Sequence, residues 1–230
     1  MGNGIARTWV HSSTPARVED ILAKACEVLV RDGYADFNLR KVAAEAGVRL
    51  ATVQYHFADR ETLLSTAITR AMDHWGQGFK HIVAKSERSA EERLRELQQL
   101  SLELLETPST APLIVESFAL AQHDDTIREI VQTRYFEYRK LFADLLGEIR
   151  PNLPADTLMG FATVFTAQLE GLVLLLRRDD PHRPDEVMLR RALDSQFDAF
   201  VAALRAYRPA GRTAGRAAKP VKPKRRSRER

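Results

Sequence analysis

Arg49, Leu50, Thr52, Gln54, Tyr55 and His56 form the densest set of polar and aromatic recognition groups in the chain. A guanidinium and a carboxamide can each make paired hydrogen bonds to base edges, and a leucine can touch a thymine methyl. A hydroxyl and the polar tips of aromatic rings can hold phosphate oxygens, which fixes register without reading sequence. The chemistry these types suggest is therefore recognition of a nucleic-acid groove. A helical hairpin in an ordinary bundle is the alternative, but an exposed Gln-Tyr-His cluster has little purpose there.

The elements that must position these residues lie between Asn38 and Leu64, NLRKVAAEAGVRLATVQYHFADRETLL. The spacing predicts a helix from about Leu39 to Ala46, capped by Asn38, with Leu39, Val42, Ala43 and Ala46 turned inward. Arg40, Lys41 and Glu45 are left outside. Gly47 closes that helix, Val48 anchors the turn, and a second helix from about Leu50 to His56 buries Val53 and Phe57. Two short helices across a glycine turn have the shape of a helix-turn-helix. Upstream, Thr14-Pro15 predicts a helix start, and Val18, Ile21, Leu22, Ala25, Leu29 and Val30 recur at helical spacing up to Asp32-Gly33. Tyr34 and Phe37 are expected to seal a small three-helix unit.

The stretch resembles the DNA-binding region of the tetracycline-repressor (TetR) family of bacterial transcriptional regulators. The resemblance rests on Ala43, Ala46-Gly47-Val48, Thr52, Tyr55-His56-Phe57, Arg60-Glu61 and Leu63-Leu64, and covers roughly residues 15 to 70. It implies an all-α fold of about nine helices: an N-terminal helix-turn-helix domain followed by a helical bundle for ligand binding and dimerisation. It also implies that Thr52, Tyr55, His56 and Arg60, together with Lys41, bind phosphates. Arg40, Arg49, Leu50 and Gln54 match positions that resemble base-reading ones. Where the family usually has Ser or Thr to cap the recognition helix, this chain has Arg49, which is then available to turn toward DNA.

Downstream, a helix starting near Arg60 passes through Leu64, Ile68, Met72 and Trp75 toward Phe79. Gly76 and Gly78 in its middle suggest either a close crossing or a hinge. From about Ser86 to Tyr207 the pattern is that of a helical bundle. Helices are expected from Ser89-Ala90 to Thr107-Pro108, and then over about 111–123, 125–147, 154–177 and 184–206. Aromatic and amide residues on these helices suggest an apolar pocket with polar anchors, or plain core. The candidates are Trp75 and Phe79, then Phe118 and Gln122, Tyr135, Tyr138 and Phe142, and finally Phe161, Phe165 and Gln168. The last two helices are apolar over more than one face, and the resemblance implies that they pair with their copies in a second subunit. The interface residues expected are Leu169, Leu172, Val173 and Leu176 on the first, and Leu193, Phe197, Phe200, Val201 and Leu204 on the second.

No enzyme is legible. His123-Asp124-Asp125 reads as a helix junction, since no Ser or Cys nucleophile can be tied to it. His74 and His81 have no third ligand at metal spacing, and no cofactor motif is found. Cys26, the one cysteine, rules out an internal disulfide and reads as a small buried hydrophobe. With no apolar leader and no run long enough to span a bilayer, the expected location is the cytoplasm, on the nucleoid when bound to DNA.

The net charge of +4 is uneven. Residues 212–230 hold nine Lys or Arg against one acid, leaving 26 basic and 30 acidic residues in the remaining chain. The basic tail KPVKPKRRSRER is expected to be unfolded, and either strengthens non-specific DNA attraction or serves solubility. Residues 1–13, with Arg7, read as a flexible arm. The expected organisation is an arm over 1–13, a reading head over 14–60, a ligand-binding and dimerisation domain over 61–207, and the tail over 208–230. Its function is expected to be that of a dimeric regulator, a repressor released from a pseudo-palindromic double-stranded operator by a small molecule. A ligand-independent regulator or an activator is the alternative, and an enzyme the rival from a different class.

Overall fold

The computed structural model describes residues 16–105, 107, 109–176 and 181–209. The expected arm, Thr14-Pro15, Pro108 and the basic tail lie outside the described residues. Among those described, nine helices and no strand are present. They are α1 (Ala16–Asp36), α2 (Leu39–Glu45), α3 (Leu50–His56), α4 (Arg60–Val83), α5 (Ala90–Leu105), α6 (Thr110–Leu120), α7 (Asp125–Ile149), α8 (Ala155–Leu175) and α9 (Glu186–Ala206). The all-α fold expected from the sequence is the one observed.

Side chains that satisfy free backbone N–H groups set most of the helix starts. The N–H of Lys41 donates to Asn38 at 3.0 Å, that of Thr62 to Asp59 at 2.7 Å, and that of Ile127 to Asp124 at 3.0 Å. Ser89 and Glu92 close a reciprocal capping box: the Ser89 N–H donates to the Glu92 carboxylate at 2.8 Å and the Glu92 N–H to Ser89 Oγ at 3.2 Å. α1 breaks where the sequence predicts its end, at Gly33 (φ 73°), and a further turn carries the chain to Asp36. A φ of that sign favours glycine.

Two apolar cores hold the helices. The first collects Ile21, Leu29, Phe37, Val42, Val53, Phe57, Leu63 and Ile68 from α1–α4 and their loops, and joins them to Leu113 and Ile114 of α6 and Ile127 and Val131 of α7. The second contains Phe79, Leu94, Leu97, Phe142, Leu146, Phe165, Phe197 and Leu204. α4 contributes to both. The expected domain boundary at residues 60 and 61 falls at its first residue, and packing is continuous across it.

Gly76 owes its place to a close crossing. A Cβ at that position would lie 2.9 Å from Tyr138 Cε1, and the Tyr138 hydroxyl donates to the Met72 carbonyl one turn earlier on α4. α4 runs as a single helix through Gly76 and Gly78.

Candidate nucleic-acid interface

α2 and α3 meet across a tight turn that Gly47 makes possible, with φ 62°. The Gly47 N–H donates to the Ala44 carbonyl at 3.2 Å and the Val48 N–H to the Ala43 carbonyl at 2.9 Å. Val53 and Phe57 then lock α3 onto the first core, both buried as their spacing predicts. This fixes which side of α3 faces outward. Gln54, Tyr55 and His56 are exposed on that side, beside exposed Arg49 at its start, while Leu50 and Thr52 are half-buried. Tyr55 is 84 % exposed, and its ring meets that of His56 edge-on at 5.0 Å between centroids. A large aromatic left that open has no packing role within the protomer, which suits a group that meets a partner.

Arg49 occupies the cap position of α3 in extended conformation (φ −71°, ψ 146°) and makes no side-chain cap. Only its carbonyl serves the helix, accepting from the Thr52 N–H at 2.9 Å. The expected loss of side-chain capping at this position is therefore observed, and the guanidinium extends from the start of α3. Arg40 is exposed on α2.

Two of the expected phosphate-binding cations are engaged within the protomer. Lys41 Nζ lies 3.0 Å from the Asp32 carboxylate and 3.8 Å from that of Asp36. Hydrogen bonds from Arg31 and then from Lys41 hold the Asp32 carboxyl down at about 2. Arg60 donates to the Tyr34 carbonyl and lies over the Tyr34 ring, 4.1 Å from its centroid. Sequence spacing does not reveal these pairs, because they depend on how the turn after Gly33 folds back on α2 and α4. Lys41 and Asp32 are both half-buried at the surface, and a surface pair of this kind contributes little and can be exchanged for a phosphate. Arg60 is held by two contacts of different kinds.

Away from this surface, α4 to α8 enclose a cavity of about 30 Å³, lined by Trp75, Phe79, Ser101, Leu104, Ile114, Tyr135, Tyr138, Leu169 and Glu170. Four of the ten expected lining residues are among them: Trp75, Phe79, Tyr135 and Tyr138. The other six pack elsewhere, because the aromatic stripes of α7 and α8 are wider than the cavity and their rings stack on one another. Phe142 meets Phe165 at 5.5 Å inside the second core, Phe161 lies against Phe200 and Tyr207, and Phe118 covers Tyr135 from outside. Gln122 and Gln168 are exposed.

Ser101, Leu104, Ile114, Leu169 and Glu170 line the cavity without having been expected there, and of these Glu170 is the charged one. Its sequence signal is an acid alone in the apolar run of α8. Its Oε2 is buried and accepts no hydrogen bond. Burial pushes its carboxyl up to about 7, against the pull of a hydrogen bond from Tyr135. The same burial, with the Glu170 charge, raises the Tyr135 phenol well above its ordinary value. Cys26 is a weak donor to the Ala67 carbonyl at 3.7 Å, and burial pushes its thiol up to about 12, a setting for an inert packing residue.

Of the expected interface residues, Leu169, Leu176, Phe197, Phe200, Val201 and Leu204 are already buried within the protomer. Leu172 and Leu193 are half-buried, and the Val173 side chain lies outside what is described. The inward stripes of α8 and α9 build the second core, which leaves a different face open. On α8 it holds Gly160, Val164, Ala167 and Leu175, and on α9 Ala192, Ser195, Ala199 and Ala202, all exposed.

With this geometry, comparison with known proteins is decisive at the reading head. Residues 21–67, from α1 into α4, match the family described as bacterial regulatory proteins, tetR family. The match covers the reading head and leaves the helices after α4 outside it. It is similar to the HTH-type transcriptional repressor KstR2 of Mycolicibacterium smegmatis, with 25% identity over 156 residues, 65% of this chain and 76% of the relative. An uncharacterised HTH-type transcriptional regulator of Xanthobacter autotrophicus is 26% identical over 58% of this chain and 67% of its own. The fold is shared with a transcriptional regulator of Rhodococcus sp. Rha1, at TM-score 0.68 and 20% identity over 83% of this chain and 99% of that one. It is also shared with a TetR transcription regulator of Haloarcula marismortui, at TM-score 0.63 and 18% identity over 80% and 97%. These likenesses support membership of the TetR family of DNA-binding transcriptional regulators, and among the described residues no helix is long and apolar enough to cross a membrane.

Proposed function

We propose that this TetR-family regulator is a dimeric repressor that leaves a pseudo-palindromic operator when a small molecule enters the cavity between α4 and α8. The observation that carries this reading is the course of α4. Its 24 residues span about 36 Å, with the Asp59-capped start joined to α3 by residues 57–59 alone and Trp75 and Phe79 on the cavity wall. A change in cavity width therefore has an unbroken helix through which to reach the reading head. The ligand must favour the DNA-incompetent arrangement, since only differential affinity moves the equilibrium.

Arg40, Arg49, Leu50 and Gln54 read bases in this proposal, and Thr52, Tyr55 and His56 hold phosphates, with Lys41 exchanging its aspartate for one. Two subunits meet through the open faces of α8 and α9, where Gly160, Ala192, Ala199 and Ala202 let helices approach closely. A two-fold pair then presents two heads to successive half-sites. Footprinting on DNA flanking the gene, with the mass measured by light scattering, tests the reading. Paired protected half-sites and a dimer mass are expected. A monomer mass, or uniform weak binding to every sequence, would overturn it.

One observation favours a second reading, a regulator that needs no ligand. A cavity of about 30 Å³ is room for about two waters and no more. Operator binding that no small molecule alters would support that reading over release by a ligand.

A further inference from the structure

We propose that the cavity takes a cationic organic ligand, an amine carried on an apolar body, with the Glu170 carboxylate as its charge partner. The inference rests on the reading of the cavity as a ligand site and specifies the ligand's chemistry. Three independent features of the site point the same way.

The first is satisfaction. Glu170 Oε2 is buried at the cavity and accepts no hydrogen bond, although a buried carboxylate oxygen normally has a donor. An ammonium group supplies donors and charge together, which a neutral ligand or an anion does not. The second is the local balance of charge. Asp73, Glu137 and Glu170 all act on the Tyr138 phenol, with Arg134 opposing them. Arg134 is committed elsewhere, paired to Asp73 at 2.7 Å and to Glu137 at 3.2 Å, so among these acids Glu170 is the one without a cation beside it. The third is the wall. Trp75, Phe79, Tyr135 and Tyr138 surround the cavity, and aromatic faces attract cations, most strongly where water is excluded. Burial pushes the Glu170 carboxyl up to about 7, and a cation bound beside it would favour the ionised form. Because the present volume holds little more than two waters, the carboxylate marks the polar end of a space that widens to admit the rest of the ligand.

The test uses the full chain carrying Trp9→Phe, so that Trp75 is the remaining tryptophan of the two. Three probes share one skeleton and differ in charge: 4-phenylbutylamine, 4-phenylbutanol and 4-phenylbutyrate. Saturable change in Trp75 fluorescence is expected with the amine, at an affinity about tenfold or more above the other two, the range that one desolvated charge pair supplies. Glu170→Gln should abolish that preference while keeping the helical circular dichroism and raising the melting temperature. Tyr135→Phe should retain the preference, because the phenol is not the charge partner. Equal or tighter binding of the alcohol or the carboxylate, an amine preference that survives Glu170→Gln, or no saturable amine signal would each overturn the proposal. Operator binding and mass, measured on the same preparation, report separately on the repressor reading. An amine that binds through Glu170 yet leaves the operator complex intact overturns ligand release and leaves the cation site standing.

Discussion

The Arg60 guanidinium lies 4.1 Å from the centroid of the Tyr34 ring while one of its nitrogens donates to the Tyr34 carbonyl. The first residue of α4 thereby fastens the turn past Gly33 that ends α1, and only residues 57–59 separate it from α3. Cation–π contact at an exposed site contributes about 0.5–1 kcal/mol and a hydrogen bond a net of about 0.5–1.5 kcal/mol, partly offset here by a buried Nε without a partner. Arg60→Ala is therefore expected to lower stability by about 1–2 kcal/mol in urea titration. If Arg60 also holds a phosphate, the same variant binds every DNA sequence more weakly and its salt slope falls by about 1. Tyr34→Ala separates the two roles. It should lower stability similarly and leave the salt slope unchanged; identical slopes in wild type and both variants would remove Arg60 from the phosphate contacts.

Gln54 is exposed on the outward face of α3, between a buried Val53 and a wide-open Tyr55. Its carboxamide suits paired hydrogen bonds to an adenine edge. Gln54→Ala should cost about 1–3 kcal/mol on the operator and relax preference at one base pair, with little change on unrelated DNA. Gel-shift titration against operators varied one base pair at a time measures this. Equal weakening on all of them would make Gln54 a positioning contact.

Gly76→Ala is expected to destabilise the fold despite the better helix propensity of alanine. The new Cβ would sit 2.9 Å from Tyr138 Cε1, so the ring has to move away from α4 and gives up its hydrogen bond to Met72. Overpacking of this kind costs about 1–3 kcal/mol, against about 1 kcal/mol gained from propensity. Adding Tyr138→Leu should recover the propensity gain. A hinge role for Gly76 predicts something else: altered DNA release with unchanged stability.

The head was readable from sequence because its signals are local. Asn38 caps α2, Gly47 needs φ > 0, and Val53 and Phe57 are spaced to bury one side of α3, so the opposite side had to face out. The partners of Lys41 and Arg60 were not readable, because Asp32 and Tyr34 reach them only through the chain reversal after Gly33. In the bundle, period alone separates an inward stripe from an outward one on a single helix, yet cannot say which inward stripe meets a cavity. Phe142 and Phe165 satisfy each other across α7 and α8, while Tyr135 and Tyr138, on the same helix as Phe142, border the empty space. Six of the nine apolar residues of α8 and α9 expected to meet a second subunit, Phe197 and Leu204 among them, are buried inside the protomer. The exposed small residues between them carry less hydrophobic signal and were passed over.

Glu170 also makes a prediction about pH that needs no ligand. Its carboxyl is raised by burial from 4.5 to about 7 in the folded protein, so folding favours the protonated form. Below the unfolded value both states carry the proton and Glu170 is fully compatible with the core. As pH rises through 4.5 toward 7, the unfolded chain ionises first, and the folded state loses stability relative to it until its own carboxyl ionises. The loss, complete above the folded value, is on the order of 3 kcal/mol. Other carboxylates titrate in the acid part of this window, so the quantity to measure is the difference between wild type and Glu170→Gln in urea denaturation at a series of pH values. That difference should be smallest at the acid end, grow in favour of the variant as pH approaches 7, and level off above it. A difference that stays constant with pH would mean that the Glu170 carboxyl is solvated in the folded protein and unfit to serve as a buried charge partner.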